Sequence, residues 1–259
     1  METVDMPLEF PVSLIVPCYN EAKRLDVATF RAFLAQPSGV RLLFVDDGSR
    51  DETIATLEQV IAGFEQRAAI LRCARNGGKG EAVRLGILKA LAGFRPQVVG
   101  FWDADLATPL ASVDRLLQVL ADQPQIEMVF GARVKLLGRH VERRAIRHYL
   151  GRVFATVVSN MLGLSIYDSQ CGAKLFRVTP DTQAVFADPF LSKWVFDVEV
   201  LARYLTIHCK QHGEDPRRLE HIVYEYPLET WSDVAGSKVR ASDFLTALID
   251  MVRIRAKYL

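Results

Sequence analysis

Five times over roughly the first 130 residues, a short apolar run passes through a polar turn, usually into a helical pattern. The strand-like runs are Val12–Val16, Val40–Val45, Ala69–Cys73, Val98–Trp102 and Ile126–Phe130. Helical patterns follow the first four, over Ala22–Ala35, Glu52–Gly63, Glu81–Leu91 and Leu110–Leu120. This alternation leaves few folds open. Parallel strands need long crossovers, and the crossovers become helices that cover both faces of the sheet. The expected class is therefore α/β, a mainly parallel sheet with helices on both faces. With 259 residues, 50% of them hydrophobic, the chain can bury such a core as one domain without a disulfide or metal staple. In each unit the unusual polar residues come just after the strand. That edge of an open parallel sheet is where a binding crevice forms.

The fourth unit carries the most chemistry. Val98–Trp102 ends in Asp103-Ala104-Asp105, and in extended backbone that spacing puts both carboxylates on one face. Thr108-Pro109 offers an N-cap and a first-turn proline for the next helix. Carboxylates suit Mg²⁺ or Mn²⁺ bridging a phosphate-bearing substrate, since these hard ions prefer oxygen. The other reading of so short a motif is a solvated acidic loop. After the second strand, Asp46 or Asp47 can accept hydrogen bonds from a base or ribose. After the third, Gly77, Gly78 and Gly80 let backbone approach a ligand, and Lys79 offers phosphate a cation. The glycine loop lacks the Walker and G-x-G-x-x-G spacings, so alone it reads equally as an ordinary strand-to-helix turn.

Lys plus Arg (32) nearly balance Asp plus Glu (31), so no global nucleic-acid signature exists. Cys18, Cys73, Cys171 and Cys209 are scattered, as expected of small core residues in a reducing compartment. The opening residues lack a signal-peptide layout, and no apolar run approaches the ~18 residues of a membrane span. The expectation is a cytoplasmic chain that rests at most peripherally on a membrane. Beyond Gly131 the rhythm stops. Arg139–Leu162 reads as one long helix or two, with Arg or His at 140, 143, 144, 147 and 148 and with Val141, Ile146, Leu150, Val153 and Val157 largely on another side. Such a stretch fits either an interfacial helix facing anionic lipid or a solvated face packed on the domain. Further on, residues 167–172 form a polar turn before a strand at Ala173–Arg177. Ser192 caps a helix carrying Trp194, Asp197 and Glu199, and 208–218 reads as surface loop. Leu219–Leu228 reads as a strand, 229–238 as a flap and Asp243–Tyr258 as an amphipathic helix.

Taken together, Val16-Pro17-Cys18-Tyr19-Asn20-Glu21, Val45-Asp46-Asp47-Gly48-Ser49, Asn76-Gly77-Gly78-Lys79-Gly80 and Asp103-Ala104-Asp105 resemble family 2 glycosyltransferases, which have the GT-A fold. Gly131-Ala132-Arg133, Asp168 to Phe176, Trp194 to Glu199 and the run Trp231-x-x-Val234-x-Gly236-Ser237-Lys238 look like the dolichyl-phosphate or polyprenyl-phosphate glucosyltransferase branch.

The resemblance implies a nucleotide-sugar-binding half (about 10–131) and an acceptor-binding half (about 132–259) within a single domain. It implies Pro17, Tyr19, Glu21 and Asp47 as nucleotide contacts, Asp103 at the ribose or diphosphate, and Asp105 on the divalent metal. Lys79 and the flap residue Lys238 would face the diphosphate. Arg133, with Arg144 or Arg147, would receive an acceptor phosphate, and Gln170 would line that side. Mannosyl-transferring relatives carry a glutamine as an extra metal contact where this chain has Ala107, so water would fill more of the metal sphere here. Eukaryotic members of the branch carry an amino-terminal membrane anchor, for which no pattern is seen here. The implied reaction moves a sugar, glucose from UDP-glucose, to a polyprenyl phosphate with inversion. An anionic phosphate acceptor needs no strong base, whereas a saccharide hydroxyl would, with Asp197 or Asp168 as first candidates. A non-catalytic nucleotide-sugar-binding module is the third reading.

Overall fold

The computed structural model describes residues 11–142, 145–212, 216–234 and 241–259. The first four strands, β1 (Val12–Cys18), β2 (Val40–Asp46), β3 (Ala68–Arg72) and β4 (Val98–Trp102), are mutually parallel. The helices between them are α1 (Val27–Ala35), α2 (Thr53–Ile61) and α3 (Lys79–Phe94). Beyond β4 come α4 (Ser112–Asp122), β5 (Met128–Ala132), β6 (His140–Glu142), α5 (Ala145–Leu162), β7 (Ala173–Arg177), α6 (Pro180–Ala187) and α7 (Phe196–His212). A 3₁₀ turn at Pro216–His221, then β8 (Val223–Pro227), β9 (Thr230–Ser232) and α8 (Ala241–Tyr258) complete the described chain.

The main sheet has seven strands in the order β3-β2-β1-β4-β7-β5-β8, and β7 runs antiparallel between β4 and β5. The sequence predicted the parallel character but gave no sign of this insertion. Alternation within the strands sends side chains into two separate cores. Leu14, Val16, Leu42 and Phe44 pack with α1, α2 and α4, while Ile15, Leu43 and Val45 pack on the opposite face with α3 and α7. Gly86 in α3 lets that helix close on the sheet, since a Cβ there would lie 2.6 Å from Ile15 Cγ2.

Chain order reverses between β1 and β4, the switch point where such sheets open. β1 pairs with β2 through Cys18 but with β4 only through Ile15. The last residues of β1 thus have one free edge, and Pro17, which has no N–H to offer, is tolerated there.

Several boundaries depart from the sequence reading. α1 begins at Val27 rather than Ala22, because Asp26 caps it by accepting the Thr29 N–H at 3.0 Å. Thr108 is not an N-cap. α4 starts after Ala111, and the Thr108 carbonyl instead accepts the Trp102 indole N–H at 2.8 Å. The stretch 139–162 is not helical throughout, because His140–Glu142 forms β6 and pairs with β9. His140 therefore lies on a strand, Val141 is buried there, and no single helix carries all five basic positions. Residues 208–212 belong to α7 instead of a loop, and 219–221 to the 3₁₀ turn instead of a strand. Thr230–Ser232, read as part of a flap, is held in the small sheet with β6. No described helix is long and apolar enough to cross a membrane.

Candidate active site

A cavity of about 720 Å³ opens at the switch point between the carboxyl ends of β1 and β4. Pro17, Tyr19, Glu21, Asp47, Lys79, Asp103, Asp105, Arg133, Gln170 and Asp197 all line it, so the structure gathers these predicted residues in one place. Arg144 and Lys238 lie outside the described residues, as does the side chain of Arg147.

On the β2 side, Asp47 is buried and its two carboxylate oxygens accept the Gly77 and Gly78 N–H groups at 2.7 and 2.8 Å. Burial raises its pKa, and those two amides pull it partly back. Asp47 therefore shapes the glycine loop as well as facing the cavity. Asp46, the other candidate after β2, is turned to its own turn and accepts from the Ser49 N–H.

The carboxylate pair sits on a tight turn after β4. The Asp103 carbonyl accepts the Leu106 N–H and Asp105 Oδ1 accepts the Ala107 N–H at 3.1 Å, with Leu106 in the left-handed region (φ 53°). A leucine there is strained, a common feature of functional turns. Lys79, from the start of α3, reaches Asp103 at 2.6 Å. Burial alone would lower the Lys79 pKa, but Asp103, Asp197 and Asp105 outweigh it, and the net shift is upward. Arg24 reaches Asp105 Oδ2 at 3.0 Å. Burial and the neighbouring Asp103 raise the Asp105 pKa, against the Ala107 amide, Arg24 and Lys79. Gly172 lies directly against the pair: a Cβ on it would fall 1.9 Å from Asp103 Oδ2, and its carbonyl accepts the Asp103 N–H.

The opposite wall is built on the loop before β7. Arg133, just past β5, donates from Nε and Nη2 to the two oxygens of Asp168 at 2.5 and 2.7 Å, and its guanidinium lies over Trp231. That bidentate pair uses only part of a five-donor fork. Glu225 of β8 grips the same loop by accepting the Tyr167 and Asp168 N–H groups at 2.7 and 2.8 Å. Lys174, fully buried in β7, holds it from beneath by donating to the Ser169 and Cys171 carbonyls, and its Nζ lies 2.7 Å from Asp197 Oδ1. The Gln170 Nε2 group is buried without a hydrogen-bond partner among the described residues, as a donor kept for a ligand would be. Glu199, on the same helix as Asp197, faces neither the cavity nor solvent. It is fully buried against Arg203 and accepts the Leu191 and Ser192 N–H groups.

Arg24 and Glu225 escaped the sequence reading, and Gly172 and Lys174, inside the run Asp168 to Phe176, were given no role of their own. Lys174 and Glu225 did leave a signal, since a charge inside an apolar strand pattern demands a partner. Arg24 left none. Replacing Glu225 by Gln turns one acceptor into a donor against a backbone N–H. We expect Glu225→Gln to cost about 1–3 kcal/mol and to speed hydrogen exchange at Tyr167 and Asp168 while β1–β3 amides stay protected. A melting curve with site-resolved exchange checks this.

No group of three or more His, Cys, Asp and Glu among the described residues is arranged to hold a metal. Asp105, with Asp103 beside it, does fit a hard divalent cation of the Mg²⁺ or Mn²⁺ kind, which typically takes one or two carboxylates and completes its sphere with phosphate and water.

The open sheet, the crevice at its switch point and the strand-end carboxylate pair define a GT-A-type sugar-nucleotide fold. The chain belongs to glycosyl transferase family 2, whose sequence model matches residues 13–183. Among curated relatives, the dolichyl-phosphate beta-glucosyltransferase of Saccharomyces cerevisiae is 31% identical over 272 residues, covering 97% of this chain and 76% of its own. That of Drosophila melanogaster is 34% identical over 246 residues, covering 88% and 69%. Among solved structures, the glucosyl-3-phosphoglycerate synthase of Mycobacterium tuberculosis, in complex with Mn²⁺, UDP and glucosyl-3-phosphoglycerate, superposes with a TM-score of 0.62 at 18% identity, covering 97% of this chain and 81% of that one. That likeness supports the fold.

Proposed function

We propose that the protein transfers glucose from UDP-glucose to a polyprenyl phosphate with inversion at the anomeric carbon. The observation that carries the reading is Arg133, a cation locked by Asp168 and stacked on Trp231, in the wall facing the carboxylate pair. Relatives named for dolichyl phosphate, and a fold neighbour solved with UDP-glucose and Mn²⁺, point the same way.

In this reading Pro17, Tyr19, Glu21 and the Asp47-braced glycine loop seat the nucleotide, and Asp103 meets the ribose or diphosphate. Asp105 holds the divalent ion, which would offset charge growing on the leaving diphosphate. Lys79 offers a second positive charge in place before the reaction begins, and Lys238 a third. Arg133, together with Arg144 or Arg147, positions the acceptor phosphate, and Gln170 Nε2 donates to the acceptor or sugar. The phosphate attacks as an anion, so no residue need remove a proton. A saccharide-hydroxyl acceptor is the second reading, favoured only by Asp197 lining the cavity; that carboxylate is already committed to Lys174. The deciding experiment offers a panel of UDP- and GDP-sugars with and without short polyprenyl phosphates and follows nucleotide diphosphate release. Release that depends on a saccharide instead of the lipid phosphate overturns the reading.

Arg133→Ala should raise the KM for polyprenyl phosphate and lower kcat, with KM for the nucleotide sugar little changed. Arg133→Lys should recover only part, because an ammonium restores charge but not the two-pronged geometry that grips Asp168. Steady-state kinetics with each substrate varied separately test this, with Arg139→Ala as control, since Arg139 is paired with Glu229 at 3.1 Å.

The substrate class also implies peripheral membrane attachment from the cytoplasmic side. Tyr149, Val153 and Val157 recur every four residues on α5 and are exposed, an apolar stripe suited to a lipid surface. Flotation with anionic vesicles should show binding that weakens as salt rises, and no flotation at low salt would count against it.

A further inference from the structure

Among the described residues, Arg24 is the cation that touches Asp105. It stands in the turn between β1 and α1. That turn is pinned by its own backbone: the Arg24 and Leu25 N–H groups donate to the Glu21 carbonyl at 2.8 and 2.9 Å, and the Glu21 N–H donates to Thr53 Oγ1 at 2.8 Å. From there Nη2 reaches Asp105 Oδ2 at 3.0 Å, while Nε lies 3.5 Å from the Glu21 carboxylate. The guanidinium lines the cavity and its side chain is 22% exposed, so it has room to move.

The charges around the turn explain what this contact does. Lys79 balances Asp103, and Arg24 is shared between Asp105 and Glu21, so these five groups together carry one net negative charge, less than the two positive charges a divalent ion brings. A divalent cation arriving alone would have to displace Arg24 from Asp105 and leave an excess of positive charge in a partly buried space, where charges are poorly screened. A cation arriving with a diphosphate meets no such penalty. The diphosphate cancels the excess, and the released guanidinium has phosphate oxygens to grip in place of the carboxylate.

We propose that Arg24 gates the divalent cation: it occupies Asp105 until a nucleotide diphosphate arrives, then transfers to the phosphates as the ion takes the carboxylate. The inference rests on reading Asp105 as the metal carboxylate. It makes ion and nucleotide binding mutually dependent, and the ion alone a poor ligand.

The test measures binding rather than turnover, on the full chain. Mn²⁺ is titrated into the protein and free ion is read by electron paramagnetic resonance, with and without saturating UDP. UDP affinity at saturating Mn²⁺ is read by calorimetry. R24Q, polar but shorter and uncharged, should bind Mn²⁺ alone about fivefold or more tighter than wild type and bind UDP with Mn²⁺ about fivefold or more weaker, within the usual range of site-to-site coupling. R24K should fall between. Melting curves confirm that both variants are folded, and a surface arginine substitution, R50Q, controls for net charge. If D105N loses Mn²⁺-dependent UDP binding while R24Q matches wild type in both titrations, the gate is wrong and the metal carboxylate stands. If D105N keeps Mn²⁺-dependent UDP binding, Asp105 is not the metal carboxylate and the gate falls with it.

Discussion

Asp105→Asn should lower metal-dependent sugar transfer by on the order of a hundredfold or more while leaving the fold in place. The amide keeps the size of the carboxylate and can still meet the Ala107 N–H, so the turn after β4 is not dismantled. What is lost is the negative charge. Asp105 contributes no apolar packing, and its partner Arg24 is partly exposed and can re-solvate, so the melting temperature should move little. Turnover is read with UDP-glucose and a short polyprenyl phosphate across a Mg²⁺ or Mn²⁺ titration. Turnover within a fewfold of wild type, with unchanged metal dependence, would remove Asp105 from the metal.

Gly172→Ala should be nearly as damaging, although it adds only a methyl group to a residue with no side chain of its own. The added Cβ would lie 1.9 Å from Asp103 Oδ2 and 2.1 Å from its Cγ, far inside contact distance, so the carboxylate or the backbone must shift. Asp103 cannot turn away freely, because its N–H is tied to the Gly172 carbonyl at 2.9 Å and its carboxylate to Lys79. We expect transfer to fall by about a hundredfold, since a misplacement of order 1 Å in a positioned group is enough for that. Gly93→Ala is the control. It lies in α3 with nothing within 4 Å of its Cβ, so activity should hold and stability rise slightly. Near-normal activity in Gly172→Ala would mean Asp103 has freedom that this packing denies it.

The parallel half of the fold and the side of the cavity built on β1–β4 were legible because their signals are local. Apolar runs ending in polar turns mark strand ends, and strand ends gather at one edge whatever the details of packing. Asp47, Lys79, Asp103 and Asp105 were located by that logic, Pro17 and Tyr19 by the family resemblance, and all six share the cavity. The wall carrying Arg133 depends on contacts far apart in sequence, which no window detects. Arg133 meets Asp168 across 35 positions and Glu225 meets the same loop across 57. Arg133 was thus read as an open cation when it is already half engaged. The 139–162 stretch misled for a related reason: β6 exists because β9 pairs with it, and its partner strand lies about ninety positions away.

The place of β7 has a consequence for the order in which the chain can fold. Every residue of β4 is buried, and its outer edge is closed only by Ala173–Arg177. While a ribosome is making residues 103–172, that edge stays open: an apolar strand with unpaired backbone groups, the kind of surface that invites pairing with another nascent chain. Residues up to Ala132 therefore do not make a closed unit, although they carry the whole carboxylate pair and glycine loop. The slow step should be the docking of β7 between β4 and β5, a long-range event that no local turn can nucleate. It joins β5 to β4 through β7 and brings Gly172 against Asp103 in one movement. A chain that has failed to close its sheet thus lacks its chemistry as well, and the two halves of the site mature together.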